Sequence, residues 1–343
     1  MGKEAEMRMK EEVRALWKYC FNDSDEFMDL YFGMRYKEEI NRTLVKDGRV
    51  ISALQAIPYL MTCYGHVVNM AYISGACTHP DFRAHGAMKR LLKETHRRMY
   101  EEGFCLSTLI PAEAWLRDYY ARSGYAVCFY YEETYLSTSC LGTFDEECEV
   151  TLCRGAEANT YPYFQKMMCQ RSNCVQHTWD DYRVILADLR LGGGMVFVAH
   201  RKGEMVGIAF CVEENGLPIV KEMCFNTPVV KDMLCQKILS VYGTKRLAYI
   251  HEAGNSACPL GMARVISVKK MLTLYAVAHP EEVFCCHLEN DEAIPENNGY
   301  YVLQQGKCVE GMFPDKVYEE HTIGSLTQKL FYLESPYMSL MLN

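Results

Sequence analysis

The sequence predicts an α/β protein of mixed sheets with flanking helices, laid out as successive units along 343 residues. Strand-like runs and helices of 3.6-residue period alternate from one end to the other. Turn sequences such as Asp47-Gly48, Arg201-Lys202-Gly203 and Glu214-Asn215-Gly216 sit between the strands. A hydrophobic content of 49% is enough, at this length, to build more than one core.

Two helices open the chain, Lys10–Phe21 and Ser24–Tyr36, the second with Ser24 as its N-cap and acidic residues in its first turn. An antiparallel meander follows, Val50–Met61 and His66–Thr78 around the bend Cys63-Tyr64-Gly65. The helix Gly86–Glu102 places Met88, Leu91, Leu92 and Met99 on one face and Lys89, Lys93, Arg97 and Arg98 on the other, with Gly103 ending it. Phe104–Pro111 reads as a short strand, 112–124 as a helix closed by Gly124, and 125–137 as an aromatic-rich strand.

Beyond Cys153 the order repeats: helices Tyr161–Gln170 and Trp179–Leu189, strands Met195–His200, Met205–Glu213 and Pro218–Phe225, helix Pro228–Tyr242, and strand Arg246–His251. A last segment, from about Gly261, carries the helices Val268–Ala276 and Ile323–Phe331 around two strands. The end, PYMSLMLN, is too apolar for a frayed terminus and predicts a docked tail.

Charge and composition narrow the function classes. With 36 Lys+Arg against 44 Asp+Glu and no basic run, the chain has no electrostatic footprint for nucleic acid. No signal-peptide core and no membrane-length apolar window occur, so a cytoplasmic protein without a membrane partner is expected. The 17 cysteines form no CxxC pair and have no His at zinc spacing; they read as reduced core residues, and no metal site is expected.

The stretch Cys77–Glu94, CTHPDFRAHGAMKRLLKE, runs from a strand through a Pro-containing turn into a strong helix. A helix starting on a glycine offers unpaired backbone N–H groups and the positive end of its dipole to an anion. Gly86 allows close approach, Ala87 keeps the entrance clear, and Arg83 can add a charge-assisted contact. On these residues alone, a phosphate-binding turn competes with an ordinary strand-to-helix junction bearing a surface arginine. The corresponding junction in the repeated order, NTPVVKDML, has neither the glycine nor the arginine.

THPDFRAHGAMKRLL followed by LIPAEAWLRDYYARSGY resembles the acetyl-CoA signature of the GNAT acetyltransferase superfamily, whose turn reads R/Q-x-x-G-x-G/A. The resemblance implies that Arg83, Ala84, His85, Gly86, Ala87 and Met88 clasp the pyrophosphate of coenzyme A, and that Ala76 and Thr78 pair with its pantetheine arm. Met88 departs from the common Gly or Ala, and Ala84 and His85 stand where basic residues are frequent. The order of units is similar to the Eis-type branch. That likeness implies a catalytic GNAT domain over 1–140, a second GNAT-like domain without the cofactor motif over 141–258, and a small sterol-carrier-like α+β domain over 259–343. It also implies a homo-oligomer and a small-molecule amine substrate, with acetyl-CoA as cosubstrate.

Acetyl transfer to an amine needs a neutral nucleophile, a stabilised oxyanion and a proton for the departing thiolate. Tyr120, four residues before Gly124, matches the family's tyrosine; a phenol stays protonated near neutrality and can donate to sulfur. A tyrosine at that place can equally be a packing residue. The strand before the turn carries no carboxylate. The Eis resemblance supplies instead the chain's terminal carboxylate, that of Asn343, with Glu113 as a reserve base two helical turns from Tyr120. A backbone N–H within Ala76–Thr78 would serve the oxyanion. His66, His79 and His85 are left outside the chemistry. The alternative reading is a non-catalytic acyl-CoA or lipid-binding protein.

Overall fold

The computed structural model of the chain describes residues 3–142, 144–153, 157–254 and 257–342. Helix α1 (Lys3–Phe21) starts earlier than expected and buries Val13, Leu16 and Trp17 on one face. Helix α2 (Asp25–Leu30) begins where the cap predicts, the Phe27 N–H donating to Ser24 Oγ at 3.1 Å. It does not stay α-helical to Tyr36. Over Tyr31–Arg35 it widens into a π-helix, closed by the Tyr36 N–H on the Tyr31 carbonyl at 3.0 Å. Tyr31, Phe32 and Arg35 are all buried there.

The expected meander is present as β1 (Asn41–Lys46), β2 (Arg49–Cys63) and β3 (His66–Thr78). Its turns are Asp47-Gly48 and Tyr64-Gly65, each with positive φ at both residues, as tight hairpins matched to strand twist require. Helix α3 (Ala87–Glu101) turns Leu91, Leu92 and Met99 into the core and ends before Gly103, at φ 83°. Strand β4 (Leu106–Leu109) follows, then α4 (Leu116–Ala121) and β5 (Ala126–Ser137).

Further along come β6 (Cys148–Leu152), α5 (Tyr161–Cys169), β7 (Val175–Gln176), α6 (Trp179–Leu191), β8 (Met195–Arg201), β9 (Glu204–Glu214) and β10 (Leu217–Phe225). Helix α7 (Pro228–Tyr242) and β11 (Arg246–Glu252) complete this stretch. The remaining elements are β12 (Cys258–Val265), α8 (Val268–Ala278), β13 (Phe284–Leu288), β14 (Gly299–Gln304), β15 (Lys307–Glu310), β16 (Glu319–His321) and α9 (Ile323–Phe331). Among the described residues, no helix is long and apolar enough to cross a membrane.

These elements group into two compact units, one of residues 3–129 with Pro259–Pro336, the other of Tyr130–Cys258 with Tyr337–Leu342. The third expected segment is therefore shared: 259–336 belongs with the first residues of the chain, and the tail belongs with the middle. In the first unit, β1, β2, β3, β4 and β12 lie in that order, antiparallel except for the parallel pair β3/β4. Leu54, Ile73, Leu91, Leu92, Leu109, Tyr120 and Met262 form one core of this unit. A second sheet, β15-β14-β13-β16, completes it, and the buried pair Arg264–Asp291 (2.7 Å) ties β12 to the loop after β13.

The second unit repeats the pattern: an antiparallel meander β8-β9-β10, the helix α7, and β11 parallel to β10. Phe197, Leu234, Ile238 and Leu247 are among the residues of its core. The fold is thus α/β with mixed sheets, as the alternation of elements predicts.

Candidate active site

Strands β3 and β4 pair only over Met70–Tyr72 and Leu106–Thr108. Past that point β3 continues to Thr78 while β4 stops at Leu109, so the last residues of β3 have no β4 partner on that side. Just there β3 bulges: Ala53 of β2 faces Cys77 and Gln55 faces Ser74, leaving Gly75 and Ala76 opposite Leu54 alone. A bulge breaks the ladder and frees backbone groups of the longer strand.

Gly75 is required twice over. Its φ is 59°, and a Cβ at this position would overlap the Trp17 indole. An isolated glycine inside a strand is a sequence signal for such a bulge, and it was readable in ISGACT.

At the far end of β3, a short 3₁₀ turn (Pro80–Phe82) leads to Arg83. Ala84 and Gly86 then adopt left-handed backbone, φ 61° and 77°. This alternation curls the backbone around α3's N-terminus, where Gly86 is the N-cap with no side-chain hydrogen bond and no acidic residue stands in the first turn. The first-turn N–H groups of α3 are therefore neither capped nor neutralised by the chain, which is the arrangement that favours an anion.

Arg83, Ala84, His85 and Gly86 are exposed, and Ala87 and Met88 are half-buried. The Arg83 guanidinium donates from Nε to the Thr78 carbonyl at 3.0 Å, and His85 Nδ1 lies 2.7 Å from the Arg83 carbonyl. Met88 packs against the apolar core of this unit, together with Ala76. The departure from Gly or Ala at position 88 is thus spent on the core. Thr78 Oγ1 pairs with Ser52 Oγ at 2.9 Å. His79, stacked on Tyr19 at 5.1 Å and 3.1 Å from Arg49, packs as a structural residue beside the turn.

Helix α4 presents Tyr120 to the same core. The ring is 8% exposed and meets Tyr119 and Tyr125 edge-on, at 5.4 and 5.9 Å between centroids. Tyr125 satisfies its hydroxyl on Ser107 Oγ at 2.6 Å and His96 Nε2 at 3.0 Å. Burial holds that His96 well below the usual imidazole range, and the Arg264 charge adds to the effect. The Tyr120 hydroxyl has no hydrogen-bond partner among the described residues. The ring is buried, but the oxygen is not among the enclosed polar atoms left without a partner, so it stays within reach of solvent. Burial, with smaller effects of Tyr119 and Cys77, pushes it up to about 12, so it keeps its proton through the neutral range.

The reserve base needs correction. Glu113 was expected two helical turns from Tyr120, but α4 starts only at Leu116 and Glu113 is exposed in the bend before it. The Leu116 and Arg117 N–H groups bond the carbonyls of Glu113 and Ala114, turns tighter than an α-helix, and the stretch has no capping side chain. The shared helical face therefore does not exist.

The predicted tail is docked. Tyr337, Met338, Ser339 and Leu342 are buried, the Tyr337 N–H donates to the Asn173 carbonyl at 2.8 Å, and the Val175 N–H donates to the Tyr337 carbonyl at 3.0 Å. In the second unit β10 and β11 also pair only briefly, over two positions, beside a bulge near Lys221. Here Glu222, 1% exposed, is bound by Arg171 at 3.0 and 3.1 Å and accepts from Tyr337 and Ser339 of the tail. Helix α7 is closed to an anion by its own residues, with Pro228 at its start and Thr227 Oγ1 accepting from the Val230 N–H at 3.4 Å. The terminal carboxylate of Asn343 lies outside the described residues.

Sequence reasoning missed Cys20, which lies against Thr78 and Arg83, because nothing in the spacing links the end of α1 to the end of β3. Elsewhere, His287, Glu289 and Glu320 bring possible metal-ligand atoms within 4.8 Å of one another; two of the three are exposed.

Residues 3–128 match the model of the acetyltransferase (GNAT) domain family. No curated protein matches the chain in sequence. Among solved structures, the fold is similar to a conserved protein of Enterococcus faecalis V583 described as a probable N-acyltransferase, with TM-score 0.76 and 18% identity over 96% of this chain and 87% of that one. A GCN5-related N-acetyltransferase of Anabaena variabilis ATCC 29413 gives TM-score 0.75 and 16% identity over 95% and 87%. Eis1 of Mycobacterium abscessus gives 0.74 and 11% over 96% and 88%. At such identities the likeness is one of fold. The family match over residues 3–128 and the similarity of fold thus point the same way, and the part of the chain that resembles an acetyltransferase (GNAT) domain is the part that carries β3, β4 and the turn into α3.

Proposed function

We propose that the chain transfers an acetyl group from acetyl-CoA to a primary amine by direct attack in a ternary complex, with no covalent enzyme intermediate. The observation that carries this reading is the unpartnered Tyr120 hydroxyl in the same core as Ala76 of the bulge. The residues fit the cosubstrate. The α3 N-terminus and Arg83 suit a pyrophosphate, and the free edge of β3 from Ala76 to Thr78 suits the amide groups of a pantetheine arm.

Each step has a group to perform it. Backbone N–H groups of the Gly75–Cys77 bulge stabilise the charge that develops on the acyl oxygen. Tyr120 donates its proton to the leaving sulfur. A buried phenol pushed up to about 12 is a weak acid, but a thiolate leaving into the same low-dielectric surroundings is made more basic by burial as well. The base in this proposal is the α-carboxylate of Asn343, the role that the Eis resemblance gives to the chain's last residue.

The finer assignment is to the Eis-type branch: tandem GNAT-like units, the second without a cofactor site, and a sterol-carrier-like segment. The fold similarity to Eis1 over 96% of the chain supports it, as do the repeated meander-helix-strand order and the capped, proline-started α7. A cytoplasmic homo-oligomer and a polycationic acceptor, aminoglycoside- or lysine-like, belong to the same proposal, and the net charge of -8 suits a cationic substrate.

The test is incubation of the full chain with acetyl-CoA and a panel of primary amines, read by mass spectrometry because 17 cysteines would react with a thiol dye. Acetylated amine is the expected product. Tight coenzyme A binding without turnover on any amine would overturn the catalytic reading in favour of a non-catalytic acyl-CoA binder.

A further inference from the structure

Cys20 lies in the last turn of α1, partly exposed, and Cys77 is a buried residue of β3 between Ala76 and Thr78. Cys20 packs against the apolar cluster that contains Cys77, and its sulfur faces the carbonyl of Thr78, the next residue along β3. Around Cys20 Sγ stand the Thr78 carbonyl oxygen at 3.6 Å and Arg83 Nη2 at 3.8 Å. The same guanidinium bonds the Thr78 carbonyl through Nε at 3.0 Å. One sulfur thus contacts the arginine that opens the α3 turn.

The surroundings set the two thiols apart. The neighbouring Cys77 and the Arg83 charge bring Cys20 down to about 6, whereas the neighbouring Cys20 and its own burial push Cys77 up. The buried cysteines Cys128, Cys211, Cys235 and Cys286 are also pushed up, by burial. Cys20 is thus the more acidic thiol of the two, and it stands beside the Arg83 cation. A partly exposed nucleophilic sulfur beside a second cysteine is the arrangement of a redox-sensing pair.

We propose that Cys20 and Cys77 form a peroxide-oxidisable pair whose disulfide releases Arg83 toward the anion site at the start of α3. The Cys20 thiolate attacks one oxygen of hydrogen peroxide, forming an S–O bond and breaking the O–O bond; the hydroxide that leaves takes up a proton as water. Cys77 sulfur then attacks the Cys20 sulfenic sulfur, forming the S–S bond and breaking the S–O bond, and the departing hydroxide takes the Cys77 proton. Two electrons pass from the thiol pair to one peroxide, giving one disulfide and two waters.

The consequence for Arg83 follows from charge. A thiolate at Cys20 and a pyrophosphate at the turn are two anions sharing one guanidinium, and each disfavours the other. The disulfide is neutral, so the oxidised chain binds coenzyme A more tightly. This part rests on the reading of Arg83 to Met88 as the coenzyme A clasp; the thiol chemistry does not.

The experiment treats the full chain with hydrogen peroxide, quenches with an alkylating agent, maps disulfide peptides by mass spectrometry without reduction, and measures coenzyme A binding by calorimetry. A Cys20–Cys77 linked peptide is expected. Affinity should be about fivefold higher after oxidation, the scale of one screened charge near a surface. It should be restored by dithiothreitol and show no response to peroxide in Cys20→Ser. Cys20 recovered as sulfinic acid, or linked to another cysteine, would overturn the pair. A Cys20–Cys77 disulfide with unchanged affinity would overturn the release of Arg83. The disulfide with no coenzyme A binding in either state would overturn the reading of the turn while leaving the pair standing.

Discussion

The Tyr125 hydroxyl is bound twice inside the core, whereas the Tyr120 oxygen stays within reach of solvent with no protein partner among the described residues, so the fold treats the two phenols differently. Their phenylalanine variants should diverge. Tyr125→Phe strands Ser107 and His96 and is expected to lose about 1–2 kcal/mol in urea unfolding. Tyr120→Phe removes only an unpaired group and is expected to unfold at the same urea concentration or higher; a clear loss would mean that the hydroxyl has a structural partner. The pH dependence follows the same residue. Because burial pushes Tyr120 up to about 12, the proton to be donated is present at every lower pH. The rate should show no falling alkaline limb between about pH 7 and 10, checked by initial rates at saturating amine.

Among the elements, β3 with its bulge and α3 with its uncapped start carry the proposed site. Gly75→Ala forces a side chain into left-handed backbone and into the Trp17 ring. An expected loss of about 2–4 kcal/mol, from strain and overpacking together, is checked by denaturant unfolding. At Gly86 a Cβ meets nothing within 4 Å, so substitution there carries only the backbone strain of φ 77°.

What was legible in the sequence was what local chemistry decides. The Ser24 cap, the two glycine turns of the meander, and the limits of Pro228–Tyr242 and Ile323–Phe331 all follow from caps, prolines and periodicity. The start of α3 at Gly86 was legible too, since a glycine between a strand and an amphipathic run marks a helix start. Illegible were features fixed by distant neighbours. The π-helical widening at Tyr31–Arg35 buries three side chains in one core, and α4 shortens because its first residues lack a cap. The meeting of Cys20 with Cys77 and Arg83 depends on how α1 packs on β3, which no spacing along the chain encodes.

At the scale of the whole molecule, the cysteines act together as a pH-dependent reserve. Burial raises Cys128, Cys211, Cys235 and Cys286 from 9.0 to about 12. A folded-state pKa raised above the unfolded one gives stability that is fully present below the unfolded value and is lost as pH climbs through the folded one. Urea midpoints should therefore hold steady from pH 7 to about 9 and fall between about 9 and 12; a midpoint flat across that range would contradict the burial of these thiols.

The two units share a meander-helix-strand order, yet only the first leaves its unpaired strand edge and its helix start unfilled. The second spends both on Thr227, Pro228 and the Arg171–Glu222–Tyr337 network. The proposed chemistry accordingly belongs to one unit, and within it to Tyr120. The most direct test is the rate of acetyl transfer by Tyr120→Phe at saturating acetyl-CoA, measured as acetylated amine by mass spectrometry alongside calorimetric coenzyme A affinity. The rate is expected to fall by about 10²–10⁴ with affinity unchanged. A rate equal to that of the unaltered chain would contradict the account.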